Sequence, residues 1–182
     1  MAIEIEKKYR LDAARYERLL SALEEIGAEY QGEDFEENTL YRGGVLDEKS
    51  AVLRVRKIGA RTILTYKRRI QNEFDVKRQI EHETEIASAE EIENIIENLG
   101  FVASVIYEKR RRTWRFREVE IVLDELPFGL FMEIEGSSVT AIAEAEMFLA
   151  AEDFEVEHET YPRLTAKYGR KNGELVEARF AG

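Results

Sequence analysis

Charged side chains alternate with apolar ones along several short segments of the chain. Glu4, Glu6 and Lys8 are spaced two residues apart, and so are Arg54 and Arg56. Residues two apart share one face of a β-strand, so each set would present its charges together. Arginine and lysine bind phosphate oxygens, whereas carboxylates hold hard divalent cations. The spacing therefore indicates a polyanion site next to a metal site.

The same alternation recurs along most of the chain. Leu53 and Val55 separate the two arginines, and Met132 and Ile134 flank the acidic residues near the last strand-like run. Each such segment would have one apolar and one ionic face. The further charged positions on ionic faces are Lys67, Glu81, Glu83, Glu85, Lys109, Arg111, Asp124, Glu133 and Glu135.

Two arrangements explain an ionic face on so many strands. In the first, an open antiparallel sheet carries helices on its apolar face and leaves its charges in water. In the second, the sheet curls so that the ionic face lines a water-filled tunnel. Glutamate is disfavoured in strands, and charges turned inward need partners or bound ions, so the second arrangement predicts an anion and cations in the tunnel.

Length and composition restrict the class of protein. The chain has 182 residues, of which 44% are hydrophobic, which fits a single folded domain over residues 1–182. The formal net charge of -11 argues against a general nucleic-acid or anionic-membrane binder. With no cysteine and two histidines, any metal must be held by oxygen atoms. No leader or apolar spanning segment is evident, so we expect a cytoplasmic protein.

Periodicity predicts an α+β fold. Asp12 is a candidate N-cap and Gly27 a helix stop, while Ser88 and Glu91 form a capping-box pattern. The predicted helices cover residues 12–27, 88–100, 139–151 and 162–171. The predicted strands cover residues 2–9, 39–42, 51–57, 61–68, 78–86, 104–117, 119–126 and 130–136.

A weak internal repeat divides the chain. Glu4-x-Glu6, a helix ending at Gly27 and basic strands are followed later by Glu83-x-Glu85, a helix ending at Gly100 and further basic strands. Two copies are too few for a solenoid, so we expect two pseudo-symmetric halves of one domain.

The opening motif Glu4-Ile5-Glu6-Lys7-Lys8 resembles the signature of the CYTH superfamily, also called triphosphate tunnel metalloenzymes. The likeness extends over nearly the whole chain. The motifs that follow in the family's order are Asn38-Thr39-Leu40-Tyr41, Leu53-Arg54-Val55-Arg56, Leu64-Thr65-Tyr66-Lys67, Glu83-x-Glu85, Glu108-Lys109-Arg110-Arg111, Asp124 and Glu133-Ile134-Glu135.

The resemblance implies an eight-stranded antiparallel β-barrel with flanking helices, which binds a triphosphate with Mg²⁺ or Mn²⁺. It implies that Glu4, Glu6 and Lys8 are catalytic. It assigns triphosphate binding to Lys8, Arg54, Arg56, Lys67, Lys109 and Arg111, and metal binding to Glu4, Glu6, Glu83, Glu85, Asp124, Glu133 and Glu135.

The resemblance also implies the reaction. Inorganic triphosphate is the expected substrate of a metal-dependent hydrolase, and ATP or thiamine triphosphate would bind through the same residues. Class IV adenylyl cyclase is the alternative, although no His-Phe pair follows the opening motif and Thr160-Tyr161-Pro162-Arg163-Leu164 replaces a Ser-Tyr-x-x-Leu stretch. A non-catalytic polyphosphate or nucleotide-binding module is a third interpretation. A homodimer is compatible with the family.

Other conspicuous residues have ordinary explanations. His82 lies on the face opposite Glu81 and Glu83, and His158 lies in an acidic loop, so neither is assigned a catalytic role. Trp114 and Phe116 are expected in the core. Half of each basic cluster, at residues 67–69 and 110–112, faces away from the ionic side, and we expect no nucleic-acid binding from them.

Overall fold

The structure, a computed structural model, describes residues 5–70 and 78–181. Glu4 lies outside these ranges. The strands are β1 Ile5–Leu11, β2 Glu29–Arg42, β3 Ala51–Ile58, β4 Arg61–Ile70, β5 Arg78–Ile86, β6 Val102–Phe116, β7 Val119–Leu126, β8 Gly129–Gly136, β9 Arg170–Asn172 and β10 Leu175–Ala178. The helices are α1 Ala13–Glu25, α2 Val45–Glu48, α3 Ala89–Asn98, α4 Val139–Phe148 and α5 Tyr161–Tyr168.

Eight main strands follow the order β1-β8-β7-β6-β2-β3-β4-β5, with β1 and β5 at its ends. The registered pairs β1–β8, β8–β7, β7–β6, β2–β3, β3–β4 and β4–β5 are all antiparallel. The short strand β10 pairs with β6 in parallel and with β9 in antiparallel orientation. The predicted antiparallel sheet of eight strands with flanking helices is confirmed.

The topology also contains the predicted repeat. The first copy comprises β1, α1, β2, β3 and β4, and the second comprises β5, α3, β6, β7 and β8. The corresponding strands of the two copies are β1 and β5, β2 and β6, β3 and β7, and β4 and β8. They occupy equivalent positions counted from opposite ends of the strand order. As a result, the first strand of each copy pairs with the last strand of the other copy.

The chain forms two compact units. Unit 1 comprises Met1–Asp34 and Lys109–Glu159, and unit 2 comprises Phe35–Glu108 and Thr160–Gly182. The units therefore interleave along the sequence and do not coincide with the two repeat copies. A single domain over residues 1–182 stays a prediction.

In unit 1, the helices cover the apolar face of β1, β8, β7 and the end of β6. Leu19 and Leu23 of α1, Ile142 of α4 and Leu149, which follows α4, are buried there. Asp12 caps α1 by accepting a 2.7 Å hydrogen bond from the Arg15 amide, as predicted. Trp114 and Phe116 also belong to this core, which confirms their expected structural role.

In unit 2, a smaller core forms between α3 and the strands β2, β3 and β4. Tyr41, Val55 and Ile96 are its buried centre, and Leu53 and Leu64 pack against them. Ser88 caps α3 by accepting a hydrogen bond from the Glu91 amide. Both cores lie on the apolar faces that the alternation predicts, so the charges are left on the opposite faces.

Several element boundaries differ from the prediction. Strand β2 begins at Glu29, ten residues before its predicted start, because its acidic first half lacks an apolar alternation. The last helix ends at Tyr168, where Gly169 allows close backbone contact: a Cβ atom there would lie 2.6 Å from the Thr165 carbonyl oxygen. The short β9 and β10 follow instead, and the one-turn helix α2 was not predicted. Within the described residues, no helix is long and apolar enough to span a membrane.

Candidate active site

Arg54 and Arg56 lie side by side on the ionic face of β3 in unit 2. The sheet register places Arg54 between Leu40 of β2 and Thr65 of β4, and it places Arg56 opposite Asn38. Because β3 is bordered by strands on both sides, the two guanidinium groups are largely buried. We call Arg54, Arg56, Glu36, Asn38 and Thr65 the arginine cluster.

Few hydrogen bonds hold the two guanidinium groups. Arg54 Nη2 donates to Thr65 Oγ1 at 3.3 Å, and Thr65 Oγ1 donates to Glu83 Oε2 at 3.0 Å. The direct distance from Arg54 Nη2 to Glu83 Oε2 is 3.7 Å. Arg56 Nε lies 3.8 Å from Glu36 Oε2, which is beyond hydrogen-bond distance.

Buried polar atoms in this cluster lack hydrogen-bond partners. Among residues 5–70 and 78–181, nothing pairs with Arg54 Nε, Arg56 Nε or Asn38 Oδ1. The Asn38 amide nitrogen donates to Glu36 Oε2 at 3.2 Å. Leaving buried donors unsatisfied is costly, so such atoms mark a place where a ligand would supply acceptors.

The electrostatics of this cluster also favour an anion. Burial, and secondly the neighbouring Arg56 guanidinium, lowers the pKa of Arg54 below its usual value. Two desolvated positive charges thus repel each other, and Glu36 only partly compensates them. The buried Tyr107 side chain interacts with Arg54, and its ring centroid is 6.2 Å from that of Tyr161 in α5.

The remaining predicted residues of unit 2 lie toward solvent. Lys67 Nζ forms an ion pair with Glu81 at 2.9 Å, and Arg61 Nη2 forms one with Glu85 at 3.3 Å. Glu83 joins the arginine cluster through Thr65, whereas Glu85 belongs to the exposed pair with Arg61. The structure therefore brings Arg54, Arg56 and Glu83 together and places Lys67 and Glu85 at the periphery.

A second ionic cluster lies in unit 1, on the opposite face of the sheet from α1 and α4. We call Lys8, Lys109, Arg111, Asp124 and Glu133 the Arg111 cluster. The register aligns Lys8 with Glu133 across β1 and β8, and Arg111 with Asp124 across β6 and β7. Neighbouring strands thus present opposite charges at matched positions, which stabilises the pairing.

Arg111 connects both carboxylates of this cluster. Its Nε donates to Asp124 Oδ1 at 2.7 Å, and its Nη2 donates to Asp124 Oδ2 at 2.5 Å and to Glu133 Oε2 at 2.6 Å. Lys8 Nζ lies 3.2 Å from Glu133 Oε1, and Lys109 Nζ lies 3.6 Å from Asp124 Oδ2. Asp124 is completely buried.

The Arg111 cluster neutralises much of its own charge. Burial alone would raise the pKa of Glu133, but the Arg111 guanidinium, with help from Lys8 and Lys109, holds that pKa below its usual value. Glu133 therefore remains ionised in the interior, as a hard-cation ligand must be.

Glu6 and Glu135 lie next to this cluster and are better exposed. They are directly opposite each other across β1 and β8, and Glu120 of β7 is opposite Glu135. Glu6 Oε1 is 3.7 Å from Lys8 Nζ. Glu4, which the opening motif places beside Glu6, lies outside the described residues.

The chain segment after α4 also contacts Lys8. Glu159 accepts a 3.3 Å hydrogen bond from Lys8 Nζ through its backbone oxygen, and the Glu157 amide donates to the Lys8 carbonyl at 2.8 Å. Arg10 donates to Glu157 Oε2 at 2.8 Å, so the segment is fixed along the edge of β1. Sequence reasoning missed these contacts, because backbone acceptors have no residue-type signal.

The carboxylates suit a hard divalent cation in their chemistry. Within the described part of the chain, no three Asp, Glu or His side chains converge as a complete metal-binding group. However, Asp124 Oδ2 and Glu133 Oε2 both lie within 2.6 Å of one cationic atom, Arg111 Nη2. Two anionic oxygens that already share a cation fit the oxygen-rich ligand sets of Mg²⁺ and Mn²⁺.

Comparison with known proteins identifies the family. Residues 2–165 match the CYTH domain. The chain belongs to the CYTH family. A protein of Methanocaldococcus jannaschii named as a candidate adenylate cyclase is 27% identical over 150 residues, which cover 81% of this chain and 83% of that protein.

Solved structures share the CYTH fold of this chain. The PH1012 protein of Pyrococcus horikoshii superposes with a TM-score of 0.75 at 25% identity, covering 88% of this chain and 98% of its own. A candidate adenylyl cyclase from Hippeastrum, described as having a dominant triphosphatase activity, gives a TM-score of 0.71 at 20% identity over 92% and 96% of the two chains.

CYTH membership decides the class of activity. Proteins with CYTH domains are divalent-metal-dependent triphosphatases or adenylyl cyclases that act on triphosphates such as ATP. The expected resemblance, and the expectation of an enzyme of this class, are confirmed. The roles of individual residues stay predictions.

Sequence reasoning also missed functional candidates in the arginine cluster of this CYTH protein. Glu36 is nearly fully buried beside Arg56, and Thr65 links Arg54 to Glu83. Glu36 lies before the predicted start of β2, so its position on the ionic face was not evident. A longer strand reaching back from Asn38 with a period of two would have placed it there.

Proposed function

We propose that the chain is a triphosphatase that hydrolyses inorganic triphosphate to pyrophosphate and orthophosphate, with Mg²⁺ or Mn²⁺ as its cofactor. The observation that carries this proposal is the buried pair Arg54 and Arg56, whose Nε atoms have no hydrogen-bond partner among the described residues. A triphosphate offers many acceptor oxygens and several negative charges, and arginine binds such groups through paired hydrogen bonds.

The proposal gives the two clusters different roles. Arg54 and Arg56 bind phosphate oxygens, and the more exposed Lys67 adds positive charge at the periphery. In unit 1, Lys8, Lys109 and Arg111 supply further positive charge, while the metal-holding role falls to the carboxylates. The proposed metal ligands are Glu4, Glu6, Asp124, Glu133 and Glu135, with Glu83 and Glu85 as additional contributors.

A bound Mg²⁺ or Mn²⁺ would neutralise phosphate charge and activate a water molecule. Glu6, which is half exposed and lies beside Lys8, would help to hold this water, and the water's proton leaves to the solvent. The water oxygen forms a bond to the terminal phosphorus, and the bond from that phosphorus to the bridging oxygen breaks. The cationic side chains stabilise the charge that develops on the leaving pyrophosphate.

Adenylyl cyclase is the second candidate function, because the M. jannaschii relative is named as one. The same residues would bind the triphosphate of ATP, and the attacking group would be the ribose 3′-hydroxyl. The description of the Hippeastrum protein, with dominant triphosphatase activity, favours hydrolysis as the first candidate.

Product analysis tests the proposal. The purified protein is incubated with tripolyphosphate, ATP or thiamine triphosphate, in Mg²⁺, in Mn²⁺ and in EDTA, and the products are separated by ion chromatography. We expect metal-dependent release of orthophosphate from tripolyphosphate. Cyclic AMP with pyrophosphate from ATP would support the cyclase, and tight binding without turnover would indicate a binding module.

A matched pair of variants connects this activity to the arginine cluster. Arg54→Gln removes a buried guanidinium, whereas Arg42→Gln removes an exposed one that pairs with Glu174. We expect only the first to impair turnover. Equal activity of both variants and the wild type would contradict the assigned phosphate site.

A further inference from the structure

Arg111 occupies an unusual position for a phosphate ligand, because it is already bound by carboxylates. Three of its hydrogen bonds, between 2.5 and 2.7 Å, go to Asp124 and Glu133. Charge-assisted bonds of this length are among the stronger ones in proteins. An anion that approaches the Arg111 cluster therefore meets a guanidinium already held by two acidic partners.

The charge of the cluster limits what else it can hold. Lys8, Lys109 and Arg111 surround Asp124 and Glu133, and Glu6 lies 3.7 Å from Lys8, so three formal positive charges already balance three negative ones. A divalent cation placed against the same oxygens would add two more positive charges in a buried region. Such an excess is unfavourable unless one resident cation moves away.

We propose that Arg111 is an exchangeable counter-ion: it releases Asp124 and Glu133 when a divalent cation binds their oxygens, and its guanidinium then binds the triphosphate. This inference rests on the proposed function and adds the order of binding: the cation binds the carboxylates first, and Arg111 binds the triphosphate afterwards. Metal binding and Arg111–phosphate binding become coupled, so each increases the affinity of the other.

Geometry selects Arg111 over the two lysines as the residue that moves. Arg111 Nη2 touches an oxygen of each carboxylate, so its departure would free an oxygen on both Asp124 and Glu133. Of the two buried carboxylates, Lys8 contacts only Glu133, and it also contacts Glu6 and the Glu159 carbonyl. Lys109 pairs with Asp124. The side chain of Arg111 is also 19% exposed, against 8% for Lys8 and 6% for Lys109, so it has more room to turn.

A metal titration without substrate tests the exchange. Mn²⁺ is titrated into the wild type, Arg111→Gln and Arg110→Gln, and unbound Mn²⁺ is measured by electron paramagnetic resonance. Arg110, the residue before Arg111, is the matched control, because its side chain pairs with the exposed carboxylate of Glu125. Arg111→Gln removes the competing cation, so we expect Mn²⁺ to bind at least about tenfold more tightly, and Arg110→Gln to bind it as the wild type does.

A second measurement covers the case in which Arg111→Gln does not fold. In the wild type labelled with ¹⁵N-arginine, the Nε–H signal of Arg111, assigned with Arg111→Lys, should exchange slowly with solvent. Adding Mg²⁺ alone should shift this signal and accelerate its exchange, while the Arg54 signal stays unchanged.

The outcomes separate this inference from the proposed function. Wild-type Mn²⁺ binding and triphosphate hydrolysis, with no tighter binding in Arg111→Gln and no Mg²⁺ response of the Arg111 signal, would overturn the exchange alone. A wild type that binds neither Mn²⁺ nor tripolyphosphate would overturn the proposed function, and the exchange with it.

Discussion

The two ionic clusters contain similar residues but satisfy them differently. In the Arg111 cluster of unit 1, each carboxylate is held by Arg111 and a lysine, and Arg111 donates three short hydrogen bonds. In the arginine cluster of unit 2, two buried Nε atoms lack partners within the described residues, and the nearest carboxylate to Arg56 Nε is 3.8 Å away. The first cluster satisfies its own charges, whereas the second leaves two buried Nε donors without acceptors among the described residues.

The cause of this difference lies in the strand register. Arg111 faces Asp124 directly, and Lys8 faces Glu133, so unit 1 aligns opposite charges. Arg54 instead faces Leu40 and Thr65, and Arg56 faces Asn38 and Ile63. The residues paired with the two arginines are neutral, and Glu83 and Glu36 lie 3.7 and 3.8 Å away, so the desolvated like charges are only partly compensated. An anion would stabilise them. The charges on an ionic face can therefore pair with one another, as in unit 1, or be placed to bind an anion, as we propose for unit 2.

The largest expected effect comes from breaking the network of the Arg111 cluster. Asp124→Asn removes a fully buried carboxylate and leaves Arg111 and Lys109 without its charge. We expect the free energy of unfolding to fall by roughly 3–5 kcal/mol, as for other broken buried ion pairs. Turnover should fall at least about 100-fold, which is common for a lost electrostatic group in an active site. Urea unfolding and phosphate release measure the two effects.

Glu125→Gln is the control for this variant. Glu125 is the next residue along β7 and forms an exposed pair with Arg110, so its loss should cost less than about 1 kcal/mol. If Asp124→Asn were as stable as Glu125→Gln, the Arg111 cluster would not be a buried network.

The opposite pattern is expected in unit 2. Arg54→Gln or Arg56→Gln should raise the KM for triphosphate by about 10- to 150-fold, since each loses a charge-assisted contact of roughly 1.5–3 kcal/mol. The pKa of Arg54 is lowered first by burial and then by repulsion from Arg56, so removing one guanidinium relieves both costs. The unfolding free energy should therefore change by less than about 1 kcal/mol. Arg61→Gln, in an exposed pair with Glu85, is the control. A strong loss of stability with unchanged KM would indicate an ordinary structural cluster.

A smaller effect, on the metal requirement, is expected at Glu6, one of the more exposed of the proposed metal ligands. Glu6→Gln keeps the side-chain volume but removes one anionic ligand, so the Mg²⁺ concentration for half-maximal activity should rise several-fold. Binding of tripolyphosphate without metal should persist or tighten, because a repelling charge is lost. Glu17→Gln on α1 serves as the control, and an unchanged metal requirement in Glu6→Gln would remove Glu6 from the site.

The smallest effect concerns an ion pair outside both clusters. Glu37 in unit 2 pairs with Lys57 and Arg179. Although burial alone would raise the pKa of Glu37, these cations lower it below its usual value. A lowered pKa stabilises the fold above the unfolded value, near 4.5, and this contribution disappears as the pH falls through the folded value. Glu37→Gln should therefore cost less than about 1 kcal/mol at pH 7, and less still at pH 3. An equal cost at both pH values would contradict the assigned ion pair.

The regular parts of the fold were predictable because local patterns determine them. Asp12 and Ser88 mark the starts of α1 and α3, and the alternation of Leu53, Arg54, Val55 and Arg56 marks β3. The start of β2 and the helix end at Gly169 were not predictable. The first depends on the position of β2 between β6 and β3 in the folded sheet, and the second on a close backbone contact with Glu177.

The sequence predicted which charged residues form the candidate site. It did not predict that one cluster pairs its charges while the other leaves two arginines incompletely paired. Alternation placed Arg54, Arg56, Lys8 and Arg111 on ionic faces. It did not give the register, so it did not show that Arg111 opposes Asp124 whereas Arg54 opposes Thr65. That pairing is a property of the folded sheet.

The most direct test of the difference between the clusters is tripolyphosphate binding without metal. Isothermal titration calorimetry in EDTA compares the wild type, Arg54→Gln and Arg111→Lys. Arg54 Nε has no acceptor within the described residues, whereas Arg111 is occupied by Asp124 and Glu133. We therefore predict that Arg54→Gln weakens binding at least about tenfold and that Arg111→Lys weakens it less than about threefold. An equal or larger loss in Arg111→Lys would contradict the account.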